Sequence, residues 1–167
     1  MTKSQPVEAK IGKLLRQKNL KLVLAESCSG GLISHLITNI PGSSEYFLGS
    51  LVTYSNEAKV EWLRVNPGIL RTHGSVSRET ALAMALGARE SMAQVFPREK
   101  IIALAITGIA GPGGGTTEKP VGLVWIGLSA AEREDAWSFQ WTGSREENKL
   151  SSAQAGLQIL LDYLNSL

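Results

Sequence analysis

Leu20-Lys21-Leu22-Val23-Leu24-Ala25-Glu26-Ser27-Cys28-Ser29-Gly30-Gly31-Leu32-Ile33-Ser34-His35-Leu36-Ile37 changes its period within a few residues. The apolar run at 20–26 reads as a buried strand. The residues at 31–40 carry helical spacing and stop before Pro41-Gly42. Between them lie hydroxyls, a thiol and two glycines, so the segment is strand, tight turn, helix. A turn of this kind exposes a small nucleophile beside backbone amides at a helix start. Those amides and the helix dipole favour negative charge. Acyl transfer and phosphate binding are both compatible with it.

Outward from this turn, strands and helices alternate. A helix is expected at 7–18, on Ile11, Leu14 and Leu15, and a second strand at 46–54, with Gly49 marking a bulge or bend. Ser55 is placed to cap a helix carrying Lys59 and Trp62. A short helical turn is expected at 67–71. The clearest helix is 77–96, capped by Ser77 and striped by Ala81, Met84, Ala85, Ala88 and Met92. The aliphatic run at 101–106 has the character of a central parallel strand. A glycine-rich segment follows at 107–119. Strands at 121–128 and 136–141 form a hairpin around a polar turn at 131–135. Ser144 and Glu147 have the spacing of a capping box for the last helix. The sum is one three-layer α/β/α domain over residues 1–167, with a mixed, mostly parallel sheet and a carboxy-terminal hairpin plus helix. The turns after Glu26 and Ile106 are expected to converge at the strand ends.

Composition narrows the function classes. The chain has 167 residues, of which 43% are hydrophobic and 19% charged, which suits a globular domain. A net charge of +2 without a basic run gives no footprint for nucleic acid or a membrane surface. Cys28 is the single cysteine, so no intramolecular disulfide is possible and no cysteine-based zinc site is expected. Residues 1–10 are polar and lack a signal-peptide core, and no stretch is apolar enough to span a bilayer. The expected compartment is the cytoplasm, with no cofactor and no metal.

Four places can carry chemistry. Ser27, Cys28 and Ser29 are all nucleophile types, and equally types that fit a tight turn. Lys59 reads either as an exposed helix lysine or as a base. A lysine acts as a base only when its pKa falls well below the ordinary value of about 10.4, through burial or a neighbouring cation. Tyr54 is a packed aromatic or a hydroxyl that relays a proton. The segment Thr107-Gly108-Ile109-Ala110-Gly111-Pro112-Gly113-Gly114-Gly115-Thr116 can bring its amides close to an anion. It lacks the Gly-Lys-Ser/Thr ending of a P-loop. Arg145 sits at a helix start, where a cation opposes the dipole, and it reads as an anion binder or a solvated side chain. His35 and His73 stand apart from any metal-ligand spacing. The four tryptophans are dispersed rather than arranged for base stacking.

Five blocks occur in order: Ala25-Glu26-Ser27-Cys28-Ser29-Gly30-Gly31, Val52-Thr53-Tyr54-Ser55-Asn56-Glu57-Ala58-Lys59, His73-Gly74-Ser75-Val76-Ser77, Gly108-Ile109-Ala110-Gly111-Pro112 and Glu118-Lys119-Pro120-Val121-Gly122. Together they closely resemble the CinA carboxy-terminal domain family, whose active members are nicotinamide-nucleotide amidases. The resemblance implies hydrolysis of the carboxamide of nicotinamide mononucleotide to nicotinate mononucleotide and ammonia. It places the family's serine on Ser27, its lysine on Lys59, its tyrosine on Tyr54, its threonine on Thr107 and its nucleotide-associated arginine on Arg145. Ser29 stands where many members have threonine. Larger relatives carry a further amino-terminal domain, whose separate pyrophosphatase-type activity is not expected here. The expected substrate-facing set is Cys28, Ser29, Gly30, Gly31, Gly108, Ile109 and Arg145. Amides of the 29–31 turn, or Thr107 with its loop, are the oxyanion donors, and the other group holds the phosphate. The rivals are a Cys28 nucleophile and a nucleotide-binding module without turnover. The expected assembly is a homo-oligomer.

Overall fold

The computed structural model describes residues 5–167; the first four residues of the polar stretch at 1–10 lie outside the described residues. Five strands, β1 (Lys21–Glu26), β2 (Phe47–Val52), β3 (Ile101–Gly108), β4 (Leu123–Ser129) and β5 (Glu134–Gln140), form one sheet in the order β2-β1-β3-β4-β5. β1 pairs parallel with β2 and β3, β4 reverses, and β5 turns back again. Only β4 opposes the rest, so the sheet is mixed and mostly parallel.

Among the described residues, six α-helices flank the sheet: α1 (Val7–Gln17), α2 (Leu32–Thr38), α3 (Asn56–Leu63), α4 (Pro67–His73), α5 (Arg78–Met92) and α6 (Arg145–Ser166). Alternate side chains of the central strands feed two cores. Leu22, Leu24, Ile102, Leu104 and Ile106 pack with residues of α1, α2 and α6. Val23, Ala25, Ala103 and Ala105 pack beneath α5 and the end of α3. The first face is built from large aliphatics. The second is largely alanine, which lets α5 come close. A Cβ on Gly127 of β4 would overlap the Ala81 carbonyl of α5, and one on Gly87 of α5 would overlap the Leu63 carbonyl of α3. These glycines are there for backbone contact.

The caps fall where their chemistry requires. Ser55, Ser77 and Ser144 each accept a backbone N–H at the start of their helices, and Ser144 with Glu147 completes the capping box. Gly49 marks a bulge, because Val23 pairs with Gly49 while the preceding Leu22 pairs with Phe47. Several boundaries differ from expectation. β2 stops at Val52, and the following Thr53 N–H still bonds the Glu26 carbonyl. Tyr46 lies before β2 as a fully buried side chain against Gly12. The hairpin turns at 130–133, with Ala130 N–H on the Arg133 carbonyl, so Glu134 and Asp135 belong to β5. Edge-strand pairing with Ser129 and Leu128 outweighs their polar character.

The strand order reverses direction at β1, so the carboxyl ends of β1 and β3 open a crevice between their outgoing loops. Ser27 N–H bonds the Ile106 carbonyl at 3.0 Å, carrying the β1–β3 pairing one residue into the turn. Both segments expected to converge do so here.

Candidate active site

A cleft of about 270 Å³ lies over this crevice, lined by Ser27, Tyr54, Asn56, Lys59, Thr107 and Arg145 among others. Larger grooves beside Trp141 and between α3 and α5 bring together no serine–lysine pair.

Lys59 is the fourth residue of α3, 1% exposed. Helical side chains lean toward the amino terminus, and its amine reaches back to the strand end that precedes the helix. Nζ lies 2.9 Å from the Thr53 carbonyl, 3.5 Å from the Tyr54 carbonyl and 3.0 Å from Ser27 Oγ. No carboxylate touches it. Burial lowers its pKa from the ordinary lysine value, with weaker opposition from the Glu57 charge. A buried amine of lowered pKa on a serine hydroxyl is the geometry of a general base.

Cys28, on the same turn, packs into the large-aliphatic core. Burial pushes its thiol up to about 12, so it is protonated at neutral pH and a poor nucleophile.

The helix start differs from expectation. Glu26, fully buried at the end of β1, turns its carboxylate onto the first turn of α2. Oε2 accepts from the Gly31 and Ile33 amides and the Ser29 hydroxyl, at 3.1, 3.0 and 2.8 Å. Oε1 accepts from the Ser34 amide and the Ser50 hydroxyl, at 2.9 and 3.1 Å. The Gly30 amide bonds the Ser27 carbonyl. An internal anion therefore occupies the site where an external one was expected, and neither Gly30 nor Gly31 has an amide left for substrate. These glycines serve the turn instead, with φ of 63° and 95°. Ser29 is buried against Glu26. The Cys28 and Ser29 amides face the Cys28 sulfur, where they weakly oppose the effect of burial on the thiol.

The second loop is also corrected in detail. Thr107 Oγ1 donates to the Ser75 carbonyl at 2.7 Å, so its hydroxyl proton is engaged. Gly108 packs against β4, where a Cβ would come 2.6 Å from Val124 Cγ2. Ile109 continues the pairing through Leu123 and Gly122. Gly108 and Ile109 still line the cleft, together with the loop that begins at Ala110. Asn148 of α6 holds it, with Nδ2 on the Ala110 carbonyl at 3.0 Å and Oδ1 accepting from the Gly143 amide.

Arg145 opens α6 and reaches across the cleft. Its guanidinium donates to the Gly111 carbonyl at 2.6 Å and to the Tyr54 hydroxyl at 2.8 Å. Tyr54 is 62% exposed, and its hydroxyl meets Arg145 while only its carbonyl nears Lys59. A proton relay through that hydroxyl has no geometric support. The residues missed by sequence reasoning are Glu26 as organiser, Asn148 as loop anchor, and Asn56, Ser75 and Val76 in the cleft wall. Glu26 lies in the first of the five blocks, and its signal is a carboxylate that follows the apolar residues 22–25 at the end of β1.

Fold and site together define an α/β/α domain with a buried serine–lysine pair at the turning point of its sheet. The chain belongs to the CinA C-terminal domain family, whose model matches residues 4–164. It is 47% identical over 159 residues to a putative competence-damage inducible protein of Moorella thermoacetica, covering 95% of this chain and 37% of that protein. A CinA-like protein of Chloroherpeton thalassium is 45% identical, covering 99% of this chain and 39% of the relative. The chain thus spans under two fifths of the length of these curated relatives. Among solved structures, the competence/damage inducible protein CihA from Agrobacterium tumefaciens superposes with a TM-score of 0.80 at 37% identity, covering 99% of each chain. The competence damage-inducible protein A of Klebsiella pneumoniae gives 0.87 at 26% identity, covering 95% of each. No helix among the described residues is long and apolar enough to cross a membrane.

Proposed function

We propose that this chain is an amidase that hydrolyses the carboxamide of nicotinamide mononucleotide, using Ser27 as nucleophile and Lys59 as base. The observation that carries the reading is the 3.0 Å approach of Lys59 Nζ to Ser27 Oγ, with the amine buried and away from any carboxylate. The cleft wall contains Arg145 and no aspartate or glutamate, which suits an anionic ligand.

Ser27 Oγ adds to the amide carbon as its proton passes to Lys59 Nζ. The tetrahedral oxyanion draws on the Cys28 and Ser29 amides, which neighbour the nucleophile on the turn. One such donor is worth roughly 3–4 kcal/mol in other enzymes. Lys59 returns its proton to the departing nitrogen, and ammonia leaves. Water then adds to the acyl-serine, giving its proton to Lys59. The ester bond breaks, Ser27 regains its proton and nicotinate mononucleotide is released. Arg145 and amides of the 110–114 loop are the phosphate holders in this assignment.

Ammonia release from nicotinamide mononucleotide tests the proposal. Turnover is expected in the wild type and absent in Ser27→Ala and Lys59→Ala, each with an unchanged circular-dichroism spectrum. Full activity in either variant overturns the dyad. Tight nucleotide binding by a wild type with no product would favour a binding module.

A further inference from the structure

Among the described residues, Glu26 is the largest commitment of polar groups that the mechanism does not use. Its carboxylate gathers five donors: the Ile33 and Ser34 amides of α2, the Gly31 amide and the Ser29 hydroxyl of the turn before it, and the Ser50 hydroxyl of β2. Its backbone carbonyl accepts the Thr53 N–H at 2.9 Å, and the Thr53 carbonyl in turn holds Lys59 Nζ at 2.9 Å. One residue is therefore linked to both halves of the pair, to Ser27 as its chain neighbour and to Lys59 through Thr53. Through α2 it fixes where the Ser27–Ser29 turn can sit. Through β2 it fixes the strand end from which the Lys59 amine hangs.

A helix cap needs one side-chain oxygen and satisfies one or two amides. A surface cap would also leave the neighbouring strand untouched. Here the acceptor is fully buried, saturated, and shared between the helix and β2. A buried carboxylate with five converging donors has a single position, and groups bonded to it inherit that rigidity. Supporting shells of this kind hold reacting groups to within about half an ångström.

We infer that Glu26 is the positioning residue of the Ser27–Lys59 pair, setting the separation of nucleophile and base through the α2 turn on one side and β2 on the other. The inference rests on the proposed dyad, though not on its substrate. Glutamine at 26 keeps the shape but turns a donating NH2 group toward donors. The turn then shifts, and a misplacement near one ångström costs on the order of 100-fold in rate.

The test reads two signals in the wild type, Glu26→Gln and Ser50→Ala. One is ammonia release from nicotinamide mononucleotide, resolved into kcat and KM. The other is the rate at which Ser27 is phosphonylated by a small fluorophosphonate, which requires an activated serine and no nucleotide. Glu26→Gln is expected to lower kcat and the labelling rate by about 100-fold while KM moves less than roughly threefold. Ser50→Ala, which removes one donor outside the cleft, is expected to lower both rates about tenfold with KM unchanged. If Glu26→Gln does not fold, Ser50→Ala decides. Wild-type labelling in a folded Glu26→Gln, or in Ser50→Ala when the first fails to fold, overturns the inference and leaves the amidase reading standing. A wild type that labels but spares the nucleotide overturns only the substrate. A wild type that does neither overturns the dyad and this inference with it.

Discussion

Lys59 Nζ and Ser27 Oγ stand 3.0 Å apart although 32 residues separate them in the chain. Two strand ends make this possible. Ser27 leaves β1, Lys59 hangs from the segment after β2, and β1 and β2 are parallel neighbours whose ends face the same way.

Because Lys59 must be neutral to accept the serine proton, kcat/KM should rise with pH along a single-proton limb whose midpoint lies below the ordinary lysine value. A pH–rate profile of ammonia release checks it. Lys59→Ala should lose the limb and at least about 1,000-fold in rate. A flat or falling profile in the wild type excludes the base role. Chelators are expected to leave the rate unchanged.

The same burial links Lys59 to stability. Its folded pKa is lowered, so between that value and the unfolded value of about 10.4 the unfolded chain holds a proton that the folded chain has lost. Stability from this group therefore rises with pH across that window, by up to about 1.4 kcal/mol per pH unit. Below the folded pKa the burial penalty is fully present. Urea unfolding of wild type and Lys59→Met, compared from neutral to alkaline pH, should show this slope only in the wild type.

Cys28 should be dispensable as a thiol. With its pKa pushed up to about 12, iodoacetamide should label it in denaturant and spare it in the native protein. Cys28→Ala should retain turnover within roughly threefold and lose about 1 kcal/mol of stability to the small cavity. An inactive Cys28→Ala with native stability would restore the thiol as a rival nucleophile.

Arg145 should act on the ligand's charge. A guanidinium–phosphate contact is worth about 1.5–3 kcal/mol, so Arg145→Ala should raise KM for the mononucleotide by roughly 10- to 100-fold. The riboside lacks the phosphate, and its KM should be insensitive to this change. An equal effect on both would place Arg145 elsewhere in the mechanism.

Gly87 should matter at a distance. A Cβ there meets the Leu63 carbonyl at the end of α3, the helix that carries Lys59. Gly87→Ala should cost about 1–3 kcal/mol, measured by denaturant, and reduce kcat more than KM as α3 is displaced.

Much of the fold could be read locally. The 20–26 and 101–106 runs, the Ser55, Ser77 and Ser144 caps, and the Gly49 bulge are short-range patterns of periodicity and hydrogen-bond demand. Boundaries were less readable where tertiary pairing overrides composition, as at Glu134 and Asp135. In the cleft, Ser27 and Lys59 could be nominated by residue type and block, and Thr107 and Arg145 by residue type and the family resemblance. Their partners could not. Thr107 spends its hydroxyl on Ser75, and Tyr54 turns its own toward Arg145.

By itself, then, the sequence determined the strand–turn–helix at 20–40, the alternation of elements and the identities of the reactive groups, because these depend on neighbours a few residues away. Only the tertiary structure decided which anion the α2 amides serve. It also decided that Lys59 is buried on Ser27 rather than solvated on a helix face. Burial and partner choice are set by which strands lie side by side, and that is a property of the whole packed sheet.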